Sequence, residues 1–269
     1  MKFMKALRKN IQLFLIAYRS YSVYFYDILG INITYVFRVI IIVFLYKAIY
    51  KVGWVSNTVG WYSLEELSWA LIFVQALVVS KPRITQEINA DVQWWKIVAY
   101  LLNPISYVTY KFNEHFSRFI YNIGISLAIW LVVWYFLLGS IHTSVFGILG
   151  GTILVIGAML ISFFGYMMIG LTALFIEDSN GFRTIYSAID RLFAGNILPI
   201  PFFPIFFQQI IFASPFAYTG YTAWLIFVRF ESSAFLHYLG MEILWSCIYI
   251  GICYLMYQRA SKRLIINWG

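Results

Sequence analysis

Charge is what this chain of 269 residues has least of: Asp, Glu, Lys and Arg together make up 11% of it. An ordinary soluble chain carries about 25%, so the polar complement here is too small to coat a soluble particle. Cysteine is limited to Cys247 and Cys253. Their separation places them on different faces of a helix, which disfavours both a disulfide and a metal pair. The histidines, His115, His142 and His237, show neither H-E-x-x-H nor Cys/His zinc spacing. No Gly is followed by Lys anywhere, which removes the P-loop as a route to ATP, and no G-x-S-x-G elbow occurs. Asn32-Ile33-Thr34 matches a glycosylation acceptor but lies inside an apolar run, where no glycan could be added. The residues of an intramembrane protease or a lipid-modifying enzyme are not assembled.

What the chain has instead is apolar and aromatic. Hydrophobic residues make up 62% of it and aromatics 21%, and the mean hydropathy is +0.79. Aromatics at this level suit the two interfaces of a membrane, where Trp and Tyr are favoured. A net charge of +8 would fit nucleic-acid binding only if the basic residues were gathered on one module; here they flank apolar runs, as in membrane proteins. The expected class is an all-α integral membrane protein with no nucleic-acid partner.

A bilayer core of about 30 Å needs roughly 20 apolar residues per helix. Six spans are expected, over 26–50, 63–81, 115–138, 145–176, 186–210 and 236–258. Residues 1–22 carry Leu7, Ile11, Phe14, Leu15 and Tyr18 at helical spacing, with Lys5, Arg8, Lys9, Gln12 and Arg19 on other faces, the pattern of an interfacial amphipathic helix. Lys2, Lys5, Arg8 and Lys9 look like the start of a signal peptide. Gln12 then interrupts the apolar run and no small-residue cleavage site follows, so this segment is expected to be retained. Gly147 and Gly151 form a small-xxx-small pair suited to close helix packing.

With six spans and both termini on one side, that side collects all basic residues except Arg38, Lys47, Lys51 and Arg229. The positive-inside rule then makes both termini and the tail 259–269 cytoplasmic, in a cell (inner or plasma) membrane. Four of the six prolines, Pro199, Pro201, Pro204 and Pro215, punctuate 199–235. Each ring removes a backbone donor, so the stretch after span five is expected to form a re-entrant or interfacial helical hairpin on the outer side. A seventh span over 206–228 is the rival reading.

Two sets of residues stand out as candidate sites. Arg38, in the middle of the first span, either faces a cavity or pairs with an acidic group such as Glu242; its structural alternative is snorkelling or helix bridging. The polar stretch 84–104 lies in the first intracellular loop and carries Glu87, Asp91, Trp94, Trp95 and Lys96 before a stop at Asn103-Pro104. A short helix of that make-up can bury an aromatic anchor in a partner's groove with charges at the rim, or rest its Trp at the headgroups.

"ITQEINADVQWWKIVAYLLNPISYV" resembles the first cytoplasmic loop of ABC-2-type exporter permeases, and "YSAIDRLFAGNILPIPFFPIFFQQIIFASPFAY" resembles that superfamily's fifth span and outer segment. The basic ending "YQRASKRLIINWG" is similar to the drug- and viologen-exporter-like branch. The sequence departs from the family at Asn89, Ala90 and Asn103, where that loop often has a basic residue, a glycine and a basic residue. The resemblance implies a non-catalytic permease working as a pair of copies, of the same chain or a related one. Each copy would dock a separate nucleotide-binding subunit that holds ATP and Mg. The cargo would be lipophilic, drug-like or lipid-like, with a polysaccharide or lipid-linked glycan as the alternative. Ion-coupled secondary transport is the more distant reading, because the proline break falls in one half of the chain only.

Overall fold

A computed structural model describes residues 2–51, 58–59, 62–81, 83–94, 96–101, 106–138, 143–176 and 178–268. Trp95, His142, Glu177 and the Asn103-Pro104 stop lie outside the described residues. The described residues are mostly helical, with one small hairpin. In order, the elements are α1 (Lys2–Tyr21), α2 (Phe25–Lys51), β1 (Thr58–Val59), β2 (Tyr62–Ser63), α3 (Leu64–Val79), α4 (Ile84–Gln93), α5 (Lys96–Leu101), α6 (Tyr107–Leu138), α7 (Val145–Leu171), α8 (Ala173–Ile176), α9 (Asn180–Phe193), α10 (Ile205–Ala213), α11 (Tyr221–Val228) and α12 (Ser232–Trp268). β1 and β2 pair antiparallel, Val59 opposite Tyr62.

Helix starts follow from capping side chains. Ser63 accepts from Glu66 N and its own N–H donates to the Glu66 carboxylate at 2.8 Å, a reciprocal box at the start of α3. Ser144 Oγ accepts from Gly147 N at 2.9 Å to open α7.

α7 is the centre of the bundle, with Leu154, Ile161, Phe163, Met167 and Leu171 fully buried. α12 lies parallel to it: Glu242 meets Gly157, Tyr249 meets Gly165, and Cys253 Sγ reaches Phe164 O at 3.3 Å. Both cysteines are free thiols. Gly147 and Gly151 serve the close approach their spacing suggested, since a Cβ at either would meet Phe227 of α11. α2, α3 and α6 form a second packing unit around Val39, Val43, Ile72, Ala76 and Trp130.

By length and composition, four stretches among the described residues can cross a membrane: Lys9–Leu45, Tyr107–Val133, Val145–Ile176 and Ser232–Ser261. The expected spans over 26–50, 115–138, 145–176 and 236–258 coincide with α2, α6, α7 with α8, and α12. At 16 residues, α3 extends only about 24 Å.

Two expectations change. The stretch 186–210 is not one helix. α9 stops at Phe193, and Gly195 adopts φ +74 beside the Tyr221 ring, a left-handed turn open to glycine. The chain detours through 196–219, where Asn196, Ile200, Ile211 and Tyr218 are buried, and resumes at Gly220, where a Cβ would lie 3.5 Å from Ala194 O. α9 and α11 thus meet nearly end to end, and together they run the length of α7. The rival span 206–228 is likewise broken, by a 3-10 turn over Pro215–Thr219. In the proline-punctuated stretch, Tyr221 to Ile226 of α11 are buried, while α10 exposes Ile205, Phe206 and Phe207.

α1, the expected interfacial amphipathic helix, packs lengthwise on α6. Asn10 meets Asn113, Phe14 meets Phe116 at 5.6 Å between ring centres, and Tyr18 meets Tyr121 at 5.4 Å. Its aromatic stripe finds matching aromatics on α6, which buries more apolar surface than an isolated helix could.

Candidate coupling site at the Lys81 end of the bundle

α3 ends, α4 and α5 lie, α6 begins and α7 ends at one end of the bundle. α4 is clamped there from two sides. Glu87 and Asp91 turn inward to α6: Lys111 Nζ is 2.9 Å from Asp91 Oδ2 and 3.4 Å from Glu87 Oε2, with Glu114 at 3.7 Å. Arg118 bridges Glu87 and Glu114 through its two terminal nitrogens. Tyr107 Oη donates to Asp91 Oδ2 at 2.9 Å. The Lys111 side chain is only 6% exposed, and charges so placed persist because each has an opposite partner.

On the other side, Ile84 and Ile88 are buried against α7. Thr85 Oγ1 donates to Tyr166 O at 2.6 Å. Gly170 permits the contact, since a Cβ there would fall 2.7 Å from Ile88 Cδ1 and 3.1 Å from Thr85 Cα. Asn89 Nδ2 donates to Asp178 Oδ1 at 2.9 Å, and its Oδ1 accepts from Ser179 N at 3.1 Å. The Asn180 N–H, followed by Asn89, holds the Asp178 carboxyl below its ordinary value. Asn89, one of the departures from the family pattern, is therefore a clasp between α4 and the α8–α9 corner.

What α4 leaves outward is Arg83 before it, then Gln86, Ala90 and Gln93, and finally Trp94, 73% exposed. The polar stretch is two helices: α4 ends at Gln93 and α5 begins with the exposed Lys96. Tyr100 anchors α5 on Tyr107 and Tyr110 at 5.2 and 5.1 Å. Burial, then the neighbouring Tyr110, pushes its hydroxyl up to about 12. Of the residues singled out in this stretch, Glu87 and Asp91 are engaged within the chain. Trp94 and Lys96 face outward, and Trp95 lies outside the described residues.

The second candidate set separates. Glu242 is 1% exposed, with neither carboxylate oxygen hydrogen-bonded among the described residues. Arg38 sits 5.9 Å over the Tyr35 ring on its own helix. The expected pairing is not made, because Glu242 faces Gly157 on α7 while Arg38 stays on α2.

A polar centre that periodicity did not single out lies where α9 packs on α3 and α7. Lys81 Nζ is 2.5 Å from Asp190 Oδ2, Tyr166 Oη donates to Asp190 Oδ2 at 2.9 Å, and Thr219 Oγ1 donates to Asp190 Oδ1 at 2.8 Å. Next to the break, Gln75 Nε2 donates to Asn196 Oδ1 at 2.5 Å. At the opposite end, Arg229 grips Glu66 with two bonds of 2.6 and 2.8 Å.

Long apolar helices, with charged groups paired in internal clusters at the bundle's ends, define the class as a multi-pass helical membrane protein. The family follows from comparison: a family model described as "ABC-2 family transporter protein" matches residues 33–267. The chain belongs to that family, whose members are membrane permease components of ABC transporters, generally without catalytic activity of their own. No curated protein matches the chain.

Proposed function

We propose that the chain is the membrane subunit of an ATP-driven exporter, with ATP and Mg held and hydrolysed by a separate nucleotide-binding subunit docked at the Lys81 end. The observation that carries this reading is Trp94, left 73% exposed on a helix otherwise clamped to α6 and α7. A rigid helix with one projecting aromatic can transmit a partner's movement, and buried aromatics are the usual anchors of such contacts. The outward set for docking is Gln86, Gln93, Trp94 and Lys96, with Trp95 beside them in sequence. Glu87 and Asp91 support the helix from behind.

Six membrane crossings belong to this proposal, the fifth assembled from α9 and α11 and the second from the short α3. So do two copies working together, both termini on the cytoplasmic side and a lipophilic, drug-like or lipid-like cargo. The positive-inside count supports the orientation. A polysaccharide or lipid-linked glycan is the competing cargo, and Glu242 is the residue an ion-coupled mechanism would use.

Purification of the tagged chain in mild detergent, followed by transport assays in proteoliposomes, tests the reading. The expected result is a co-purifying nucleotide-binding subunit and export that stops when ATP is withheld. Transport that continues without ATP, from a preparation lacking any such subunit, would overturn it.

A further inference from the structure

The wall of the Lys81 end facing α2 holds an open cavity of about 320 Å³, within the size range of small-molecule sites. Its polar lining is almost wholly cationic or hydrogen-bond donating: Lys81, Arg83, Arg183, Arg191, Ser187 and Gln86. Arg183, Ser187 and Arg191 are spaced four apart on α9 and share one face. The neighbouring carboxylates are already engaged. Asp190 accepts from Lys81, Tyr166 and Thr219, and Asp178 accepts from Asn89 and Asn180. Asp190 offsets the Lys81 charge, which leaves three guanidinium groups. None of these three makes an ion pair among the described residues. Arg183 Nε is buried with no hydrogen-bond partner among them, and a buried unsatisfied donor is costly unless a ligand meets it.

The rest of the lining is apolar or aromatic. Ile31 and Tyr35 of α2 form one wall; farther along that helix, about a third of a turn round from this wall, Phe37 and Ile41 are 64% and 69% exposed. The cationic pocket is thus walled on one side by a helix whose adjoining face is apolar and exposed. Guanidinium groups are the side chains best matched to phosphate oxygens.

We propose that this cavity binds a phosphate group, presented either as the headgroup of an anionic lipid with its chains along α2 or as a soluble phosphate compound. The proposal needs only that the chain sits in a membrane; it is independent of the direction of transport and of the energy source. Near an anionic headgroup each basic side chain contributes about a fivefold gain in affinity. Replacing two should weaken binding about thirtyfold.

The test is equilibrium binding of fluorescent phosphatidic acid to the detergent-purified full chain, with fluorescent phosphatidylcholine as reference and pyrophosphate as competitor. Arg83 and Arg191 are exposed, so Arg83→Gln/Arg191→Gln keeps the fold; gel filtration checks this. Arg183→Gln is the second variant, and Arg259→Gln, exposed on α12, is the charge control. Phosphatidic acid bound at least tenfold more tightly than phosphatidylcholine, lost in the double variant, kept in Arg259→Gln and unmoved by pyrophosphate, assigns the site to a lipid. Competition by pyrophosphate with the same variant dependence assigns it to a soluble phosphate. No preference over phosphatidylcholine, or equal weakening in Arg259→Gln, overturns the proposal.

Discussion

The same polar stretch contains residues that hold the bundle together and residues free to hold a partner, and two substitutions separate the roles. Lys111→Met removes the cation shared by Asp91, Glu87 and Glu114, leaving Arg118 alone among three carboxylates. Breaking a buried pair by deleting one partner costs about 3–5 kcal/mol. Glu87, Glu114 and Arg118 are 23–25% exposed, so partial screening favours the lower end, about 3 kcal/mol. At about 2 °C per kcal/mol for a chain of this length, the melting point should drop by about 6 °C. Trp94→Ala touches a side chain that is 73% exposed and should cost under about 0.5 kcal/mol, close to 1 °C. Its effect should appear instead as loss of the co-purifying subunit. The triple change Glu87→Gln/Asp91→Asn/Lys111→Met removes most of the network together and should recover part of the loss. Melting followed by tryptophan fluorescence in detergent reads all three. A Lys111→Met chain that melts within 1 °C of the parent, or a Trp94→Ala chain that fails to fold, would refute the division of roles.

Further outcomes follow from single contacts. Gly170→Ala places a methyl on Ile88 and on the backbone of Thr85 and should destabilise by about 1–3 kcal/mol, read as a lower melting point. Glu242→Met replaces an unpartnered buried acidic side chain by an apolar one of similar length and should raise stability by about 1–2 kcal/mol; a lower melting point would mean that the carboxyl has a partner. Because Asp178 is held below its ordinary value of 3.8, its support of the Asn89 clasp is full above that pH and is lost as the pH falls through the lowered value. Amide exchange at Ser179 and Asn180, corrected for intrinsic rates, should stay flat from pH 7 to about pH 5 and accelerate only at stronger acidity. Acceleration already near neutral pH would contradict that sign.

The long helices were legible because length and hydropathy decide them: α2, α6, α7 and α12 fall where continuous apolar runs predict. Even there, α6 begins at Tyr107 rather than 115, because Lys111, Glu114 and Arg118 extend the helix through ion pairs that hydropathy counts against it. The helix expected over 186–210 was misplaced for a related reason. Pro199, Pro201 and Pro204 marked a break, but the helix had already ended before Gly195, and only tertiary contact shows α11 resuming at Gly220. The inward turn of Glu87 and Asp91 was not readable from their own helix, because their partners lie up to 31 positions away. Asn89 was visible as a departure from the family pattern, yet its role as a clasp depends on Asp178 and Ser179, some 90 positions on. Asp190 lies at the edge of the polar face of α9, beside Arg183 and Ser187, and periodicity alone could not name Lys81, 109 positions earlier, as its partner.

Site-directed cross-linking tests the coupling assignment most directly. In a chain with Cys247 and Cys253 replaced by Ala, a cysteine introduced by Gln93→Cys should, with a short bifunctional reagent in native membranes, join the chain to a nucleotide-binding subunit. A cysteine introduced by Ser232→Cys, at the start of α12 and the opposite end of the bundle, should not. A nucleotide-binding subunit joined through position 232 and never through position 93 would contradict the account.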